Sequence, residues 1–329
     1  MVNDKLARKL TLRLNEVEID KTPILVPSFS SRANINVGKM INMTRDAING
    51  PILISAYDVH YGNLPEITTN LIFLDSGGYE CAIDKDISEM GYNVEPPSWD
   101  LNKYLETVEN WMDMISTWEN PPKTALISYD HPLTRETIQE QVENAKKIFN
   151  NFKDVLKEFL IKPERLNDKK INVDNLIKNI DLLASFDIIG ITEKELGSSV
   201  FERMVNISKI RKELDRKHIE VPVHIFGSLD TITTPLYYFA GADIFDGLSW
   251  LRYTFHEGDT YYTSSAGPKL QSIHKNMSRI QARSLDDNIT YILRLKVQLE
   301  EYYANDSFDH FGETNSKLFN EAYNQLKAK

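Results

Sequence analysis

Short apolar segments recur along the chain, and most are followed by a stretch in which apolar residues return at helical spacing. Near-continuous apolar runs of this length are typical of β-strands that are buried on both faces. The helical spacing predicts helices at residues 141–157, 173–186, 200–214 and 231–240. The predicted strands comprise residues 24–29, 52–56, 71–75, 124–130, 158–161, 187–190, 223–226 and 244–246.

This alternation predicts an α/β protein with a parallel sheet, and eight strand–helix repeats predict a closed (β/α)8 TIM barrel. A doubly wound open sheet is the alternative, but no Gly-rich phosphate-binding turn follows the first strand. A single domain, residues 1–329, is expected. An insertion with one or two helices is predicted at residues 84–122, after the third strand. A C-terminal helical part is predicted at residues 284–329, with helices at 284–303 and 314–327.

The composition, with 41% hydrophobic and 26% charged residues, is that of an ordinary globular protein. No apolar run reaches the ~18 residues that a membrane span requires, and the acidic N-terminus does not contain the apolar core of a signal peptide. Cys81 is the only cysteine, which excludes disulfides within the chain and any zinc site that requires two or more thiolates. These features predict a cytoplasmic protein without a membrane partner.

The net charge of -10 argues against a nucleic acid as partner, but the charges are unevenly distributed. Residues 84–119 contain nine acidic residues and two lysines, whereas residues 265–283 contain four basic residues and no acidic residue. A local patch, not the total charge, determines a binding face. Two interpretations stay open for residues 265–283: a solvated basic loop and helix, or a nucleic-acid-binding segment. In the second interpretation, the binding residues are Lys269, Lys275, Arg279 and Arg283, together with Arg252.

Three of the predicted strands end in an aspartate: Asp75, Asp130 and Asp246. A single aspartate in this position is usually a turn former or a helix N-cap. In a TIM barrel, however, the C-terminal ends of all strands surround one mouth, where catalytic groups are located. Paired carboxylates can act as nucleophile and general acid/base in the cleavage of a glycosidic bond. The three aspartates therefore predict an active site at the barrel mouth.

Two strand ends also combine glycine with an aromatic residue. Glycines allow the backbone to approach a flat ligand closely and leave amide N–H groups free. Aromatic rings on opposite walls can sandwich a heterocycle, since base–aromatic stacking contributes roughly 1–3 kcal/mol. A base-binding site is therefore predicted, although Phe226 also fits the core. Its residues are Ser76, Gly77, Gly78 and Tyr79 after the third strand, and Phe226 and Gly227 at the end of the seventh.

Four motifs resemble the tRNA-guanine transglycosylase family in both order and spacing. They are DSGGYE at residues 75–80, SYDHP at 128–132, HIFGS at 224–228 and GADIFDGL at 241–248. The resemblance extends over residues 23–303 and implies a (β/α)8 barrel. It also implies exchange of guanine in a nucleic acid for a 7-deazaguanine base such as queuine or preQ1.

The resemblance implies a role for each candidate residue. Asp246 would be the covalent nucleophile that attacks the anomeric carbon of the sugar, and Asp75 would transfer the proton of the leaving and incoming bases. Asp130 would accept hydrogen bonds from the N–H edge of the base, while Tyr79 and Phe226 would stack on its two faces. General chemistry supports these roles, because an ionised aspartate needs no activating base and a donor-rich purine edge needs a carboxylate acceptor.

The sequence departs from the family at three places. The family binds a structural zinc ion through three cysteines and a histidine, but residues 258–283 contain His274 and no cysteine, so neither zinc nor another cofactor is expected. A Gln-Gly pair after the fifth strand is replaced by FLIKPER at residues 159–165, and a Gly-Gly-Leu turn after the sixth by residues 192–194. Altered base recognition is therefore expected, with Glu193 as a second carboxylate acceptor or, alternatively, as a solvated loop residue.

The expected function is base exchange on tRNA or, as in one branch of the family, on DNA. The target nucleotide must be single-stranded or flipped out, because its sugar carbon has to reach Asp246. Two other functions stay open: a non-catalytic binding or partner subunit on the same fold, and a two-carboxylate barrel N-glycosidase or other hydrolase. A homodimer or a complex with a partner protein is expected as well, since family members are often dimers.

Overall fold

The computed structural model describes residues 5–81, 98–130 and 134–329. A hairpin of two strands, β1 (Thr11–Leu14) and β2 (Val17–Lys21), comes first. The next eight strands are parallel and form a closed barrel, in which the last strand pairs with the first. They are β3 (Ile24–Phe29), β4 (Ile52–Ser55), β5 (Leu71–Asp75), β6 (Lys123–Ile127), β7 (Val155–Ile161), β8 (Ile188–Thr192), β9 (Val223–Phe226) and β10 (Ile244–Gly247). The predicted TIM barrel is confirmed.

The predicted strands agree with the structure except at a few ends. β7 begins at Val155, where the sequence predicted the end of a helix, because a turn at residues 150–154 separates the two elements. β6 ends at Ile127, so Asp130 lies beyond the strand in the following loop. β8 extends to Thr192, which the sequence placed in a turn.

Helices follow most of the strands, and the longer ones form the outer layer of the barrel. The helices are α1 (Val37–Thr44), α2 (Ala56–Tyr61), α3 (Gly78–Cys81), α4 (Leu101–Ser116), α5 (Ile138–Phe149), α6 (Val173–Lys178), α7 (Val200–Arg216), α8 (Thr233–Phe239) and α9 (Ser249–Arg252). The predicted helix at residues 173–186 is divided into α6 and a 3-10 helix, Ile180–Ser185.

Helix α4 lies within the predicted insertion but packs on the barrel as an outer-layer helix. The Tyr104 hydroxyl donates to the carbonyl oxygen of Ile127 at 2.6 Å, and the Trp111 Nε1–H donates to Thr124 Oγ1 at 3.2 Å. Both contacts join α4 to β6. Residues 84–97 of the predicted insertion lie outside the described residues.

The interior of the barrel changes from apolar to charged along its axis. At the N-terminal end, Leu12 and Leu14 of the first hairpin pack with inward-facing residues such as Ile24 and Leu71 and close the barrel. The sequence did not predict this hairpin. The C-terminal end of the barrel interior contains buried polar and charged residues. Because burying such groups is unfavourable unless they have partners, their presence marks this end as the candidate site. The polar residues buried there are Ser28, Asp75, Glu158, His224 and Asp246.

The chain continues from the barrel into a C-terminal part. It contains the hairpin of β11 (Tyr253–His256) and β12 (Asp259–Tyr262), followed by α10 (Thr263–Ala266), a π-helix (Gly267–Gln271), α11 (Met277–Asn305) and α12 (Glu313–Lys327). Asn288 of α11 accepts from the Phe255 N–H and donates to the Trp250 carbonyl oxygen, both at 2.6 Å. The C-terminal helices are confirmed, although α11 begins before residue 284. Within the described ranges, every helix is too short or too polar to cross a membrane.

Candidate active site

Asp246 lies near the end of β10, and its carboxylate is held from two neighbouring strands. Its Oδ2 accepts a hydrogen bond from the Ser28 hydroxyl of β3 at 2.7 Å, and its Oδ1 accepts from the Gly227 N–H after β9 at 2.9 Å. Gly227 has a φ of 80°, a left-handed conformation that glycine adopts without strain. Asp246 is only 6% exposed. The predicted nucleophile is therefore fixed in one orientation at the bottom of the mouth.

A buried histidine and a buried glutamate lie beside Asp246 in the barrel interior. His224 Nε2 is 3.3 Å from Asp246 Oδ1, a charge contact without hydrogen-bond alignment. His224 Nδ1 is 2.6 Å from Glu158 Oε1 of β7, which is a short hydrogen bond. Burial disfavours an imidazolium, but the carboxylates of Glu158 and Asp246 raise the pKa of His224 to about 9. The two carboxylates therefore favour the imidazolium form of His224, which faces the predicted nucleophile.

Asp75 ends β5, which is separated from β10 in the barrel by β3 and β4. Burial, together with the negative charges of Asp130 and Asp246, raises the pKa of Asp75 to about 7. Asp75 therefore lies within electrostatic range of Asp130 and of Asp246. A carboxyl group with this pKa can both donate and accept a proton near neutral pH.

The glycine-rich turn after β5 brings Asp75 and Asp130 together. The Ser76 hydroxyl donates to Asp130 Oδ1, and a Cβ at Gly78 would lie only 2.5 Å from the same oxygen. The amides of the turn were predicted to be free, but the Gly77 N–H donates to Asp75 Oδ2 at 3.2 Å and the Gly78 N–H to Ser76 Oγ at 3.3 Å. The glycines thus position the aspartates instead of presenting free amides to a ligand.

A lysine lies next to Asp130 at the edge of the mouth. Lys162, which follows β7, has its Nζ 3.8 Å from Asp130 Oδ2 and 2.8 Å from Glu195 Oε1. The same nitrogen is 3.4 Å from Thr192 Oγ1. The Lys162 side chain is 16% exposed, so its ammonium group is largely shielded from bulk water. Asp130 and Lys162 together present an acceptor and a donor to a ligand. Residues 131–132 of the SYDHP motif lie outside the described residues.

The two predicted stacking residues lie at the mouth, each with a neighbour on its ring. Tyr79 is 40% exposed, and the Arg32 guanidinium lies 4.7 Å from its ring centroid. Arg252 donates to the Tyr79 hydroxyl at 3.1 Å. Phe226 stacks on His224 with ring centroids 4.0 Å apart and an interplanar angle of 25°. Phe226 thus covers one face of the buried histidine, and two arginines contact Tyr79.

Glu193 does not join the site as a base-binding residue. Its Oε1 accepts hydrogen bonds from Arg203 of α7 at 2.5 Å and from the Tyr237 hydroxyl of α8 at 2.7 Å. These contacts hold the carboxylate against the outer helical layer, where it offsets the charge of the arginine. The geometry therefore does not support Glu193 as an acceptor for a base. Glu195, paired with Lys162, is the carboxylate of this segment on the side of the mouth.

The predicted nucleic-acid-binding residues lie on the segment that follows β10. Arg252, at the end of α9, contacts Tyr79 and so belongs to the rim of the mouth. Arg283 forms ion pairs with Asp286 and Asp287 at 3.6 and 2.9 Å, so much of its charge is offset within α11. The positive charge of residues 265–283 is therefore concentrated before Arg283. Its exposed members are Lys269, Lys275, Arg279 and Arg283.

The described residues do not fit the structural zinc ion that tRNA-guanine transglycosylases bind. Across residues 5–81, 98–130 and 134–329, no three His, Cys, Asp or Glu side chains are grouped so as to hold a metal ion. His274 is exposed in the C-terminal part, whereas Cys81 lies in α3 beside the mouth.

Comparisons of this chain with protein-family models and with curated proteins found no match. The resemblance to tRNA-guanine transglycosylases therefore stays a prediction that depends on the four motifs. Because a TIM barrel hosts many unrelated reactions, the function has to be inferred from the geometry of the site.

Several residues of the site were not identified from the sequence. Glu158 and His224 each interrupt an apolar strand at an inward-facing position, which is a readable signal because a buried charge requires a partner. Nothing in the sequence distinguishes Ser28 from the other serines. Arg32 and Lys162 lie outside the strands, where charged residues are common. Their role becomes visible only when the strands are assembled.

Proposed function

We propose that this protein is a base-exchange glycosyltransferase that replaces guanine in tRNA or DNA by a 7-deazaguanine-type base. The observation that carries the proposal is the pair of carboxylates at one mouth. Asp246 is oriented by Ser28 and Gly227, while burial and neighbouring charges raise the pKa of Asp75 to about 7. One carboxylate is suited to act as a nucleophile and the other to transfer a proton. The four motifs support the same reaction.

The proposed reaction has two steps, in which Asp75 transfers a proton in opposite directions. In the first, Asp246 attacks C1′ of the nucleotide, the bond from C1′ to the base breaks, and the electron pair goes to guanine, which takes a proton from Asp75. In the second, Asp75 accepts a proton from the incoming base, whose nitrogen attacks C1′. The bond between Asp246 and the sugar then breaks and restores the carboxylate. Two inversions at C1′ retain its configuration.

Asp130 and Lys162 support guanine as the leaving base. One edge of guanine presents N–H donors beside the O6 acceptor. Asp130 can accept from the donors while Lys162 donates to the carbonyl, since the carboxylate and the ammonium group lie 3.8 Å apart. Charge-assisted hydrogen bonds of this kind are stronger than neutral ones. A lysine here favours bases that carry an acceptor at this edge.

The Gly78→Ala variant is expected to bind the base more weakly, because its methyl group collides with the Asp130 carboxylate. We expect the KM for guanine to rise about tenfold, which corresponds to ~1.4 kcal/mol, with little change in kcat. Steady-state exchange kinetics measure this effect. Gly50→Ala is the matched control, because a Cβ at Gly50 meets no atom within 4 Å. An unchanged KM in Gly78→Ala would show that Asp130 does not hold the base.

The rim of the mouth and the C-terminal part supply cations for the nucleic acid. Arg32 and Arg252 flank Tyr79, and Lys269 and Lys275 follow on the exposed basic segment. Cations in this arrangement can hold phosphates on either side of a flipped nucleotide. A cytoplasmic location and a homodimer or partner protein are proposed alongside this activity.

Incubation with radiolabelled guanine and either unmodified tRNA or single-stranded DNA tests the proposed function. We expect label to enter the polymer and to be chased out by an unlabelled 7-deazaguanine base. Release of guanine with water as the acceptor would instead indicate an N-glycosidase. Activity that resides wholly in an added partner protein would indicate a binding subunit. Either of these results would replace base exchange by one of the two alternatives.

A further inference from the structure

The barrel interior below the mouth contains charged groups, Glu158 and His224, that have no part in the proposed base exchange. We propose that Glu158 and His224 are positioning residues that act through Asp246. Glu158 holds His224 as an imidazolium, and this imidazolium orients the Asp246 carboxylate and stabilises its negative charge. The role of Asp246 rests on the proposed function, but the charge arrangement itself can be tested without any activity.

The packing around His224 leaves this arrangement little freedom. Glu158 and His224 are both fully buried, and Phe226 covers one face of the imidazole. Phe73 contacts the imidazole edge-on, with ring centroids 5.4 Å apart. Gly190 of β8 lies between the two strands, and a Cβ there would be 3.0 Å from Glu158 Oε1. Glu158 of β7 and His224 of β9 can therefore meet across β8, because Gly190 has no side chain to separate them.

The carboxylates on either side of the ring favour its cationic form. The Nδ1 of His224 is 2.6 Å from Glu158, and its Nε2 is 3.3 Å from Asp246, so each nitrogen faces a carboxylate. The Nε2 contact has no hydrogen-bond alignment, so the charge of the ring, and not a second hydrogen bond, links His224 to Asp246. The elements packed against His224 contribute Glu158 from β7, Asp246 from β10, and the uncharged Phe73 and Gly190 from β5 and β8. These two carboxylates raise the pKa of His224 to about 9, against the effect of burial. Burial raises the pKa of Glu158 as well, and the charge and hydrogen bond of His224 oppose that shift.

The imidazolium has a specific consequence for the second step of the exchange. When the bond between Asp246 and the sugar breaks, negative charge returns to the carboxylate, and a cation 3.3 Å away stabilises it. Charge stabilisation is strong in an interior from which water is excluded. The cation therefore makes Asp246 a better leaving group. Without it, the sugar ester of Asp246 should accumulate.

Titration of His224 by NMR in the full chain tests the arrangement. The chain has seven histidines, so selective ¹⁵N-histidine labelling resolves them, and the His224→Gln variant assigns the signal. In the parent protein, we expect His224 to stay an imidazolium up to a pH of about 9. In Glu158→Gln, we expect its pKa to fall by about one to three units, because glutamine can accept the Nδ1–H but carries no charge. Glu193→Gln is the control, since Glu193 pairs with Arg203 in the outer layer.

Titration of His224 near its ordinary pKa of 6.5 in the parent protein would overturn the proposal, and so would an unchanged titration in Glu158→Gln. If Glu158→Gln does not fold, Asp246→Asn provides the second measurement, since it removes the other carboxylate and should also lower the pKa of His224.

An activity measurement separates this inference from the proposed function. The Glu158→Gln variant should accumulate more nucleic acid covalently attached to protein, trapped by denaturation during turnover, than the Glu193→Gln control. If His224 titrates as expected but no exchange occurs, the charge arrangement is correct and the proposed function is wrong. If exchange occurs but His224 titrates near 6.5, the arrangement is wrong and the proposed function stands.

Discussion

The Asp246→Asn variant is expected to lose base exchange by about 10³-fold or more, because removal of a covalent nucleophile costs rates of this order or larger. Asparagine has nearly the same shape as aspartate, but its amide cannot attack C1′ of the sugar. The variant should also form no covalent adduct with the nucleic acid. Incorporation of radiolabelled guanine measures the rate, and a denaturing gel detects the adduct.

The surroundings of Asp246 allow its replacement without a large change in shape. The asparagine oxygen can accept from the Gly227 N–H, and its amide can donate to the Ser28 hydroxyl, which rotates to accept. Asp187→Asn is the matched control, because Asp187 accepts from the Lys157 N–H at 2.7 Å at the other end of the barrel. Exchange at the parent rate in Asp246→Asn would assign the nucleophile to another group.

The fold was predictable where the strands are buried on both faces. Segments such as Ile24–Phe29 and Leu71–Asp75 are almost wholly apolar, so both their existence and their bounds were readable. The β1–β2 hairpin was not predicted, because its short strands carry charges on their exposed face and resemble an amphipathic helix in the sequence. Val155 was assigned to a helix because apolar residues near a helix end fit the apolar spacing of a helix and also that of a buried strand.

The site was predictable only in part, because its contacts join strands that are distant in sequence. Asp75 and Asp246 were identified from their positions at strand ends, which the fold itself determines. The partnership of Glu158 with His224 depends on a glycine in the strand between them, which only the assembled barrel reveals. The sequence could not separate the two interpretations of Glu193, because its ion-pair partner, Arg203, comes from the helix that follows.

The Asp75→Asn variant is expected to slow the release of guanine by about 10²- to 10⁴-fold, the usual contribution of a general acid. Burial and the charges of Asp130 and Asp246 raise the pKa of Asp75 to about 7 in the parent protein. Below this pH Asp75 carries the proton that the leaving base needs, so release should fall about tenfold per pH unit above it. Uptake of the incoming base requires the ionised form and should rise with pH until about 7.

Single-turnover rates of the two steps, measured between about pH 5.5 and 8.5, distinguish Asp75 from other groups near the mouth. Asp75→Asn should remove both opposing pH dependences, whereas Asp75→Glu, which keeps a titratable group, should retain them at a reduced rate. If the pH dependences persist in Asp75→Asn, proton transfer belongs to another carboxyl group. Glu80 would then be the group to test, because burial and the charges of Asp58 and Asp75 raise the pKa of Glu80 to about 8.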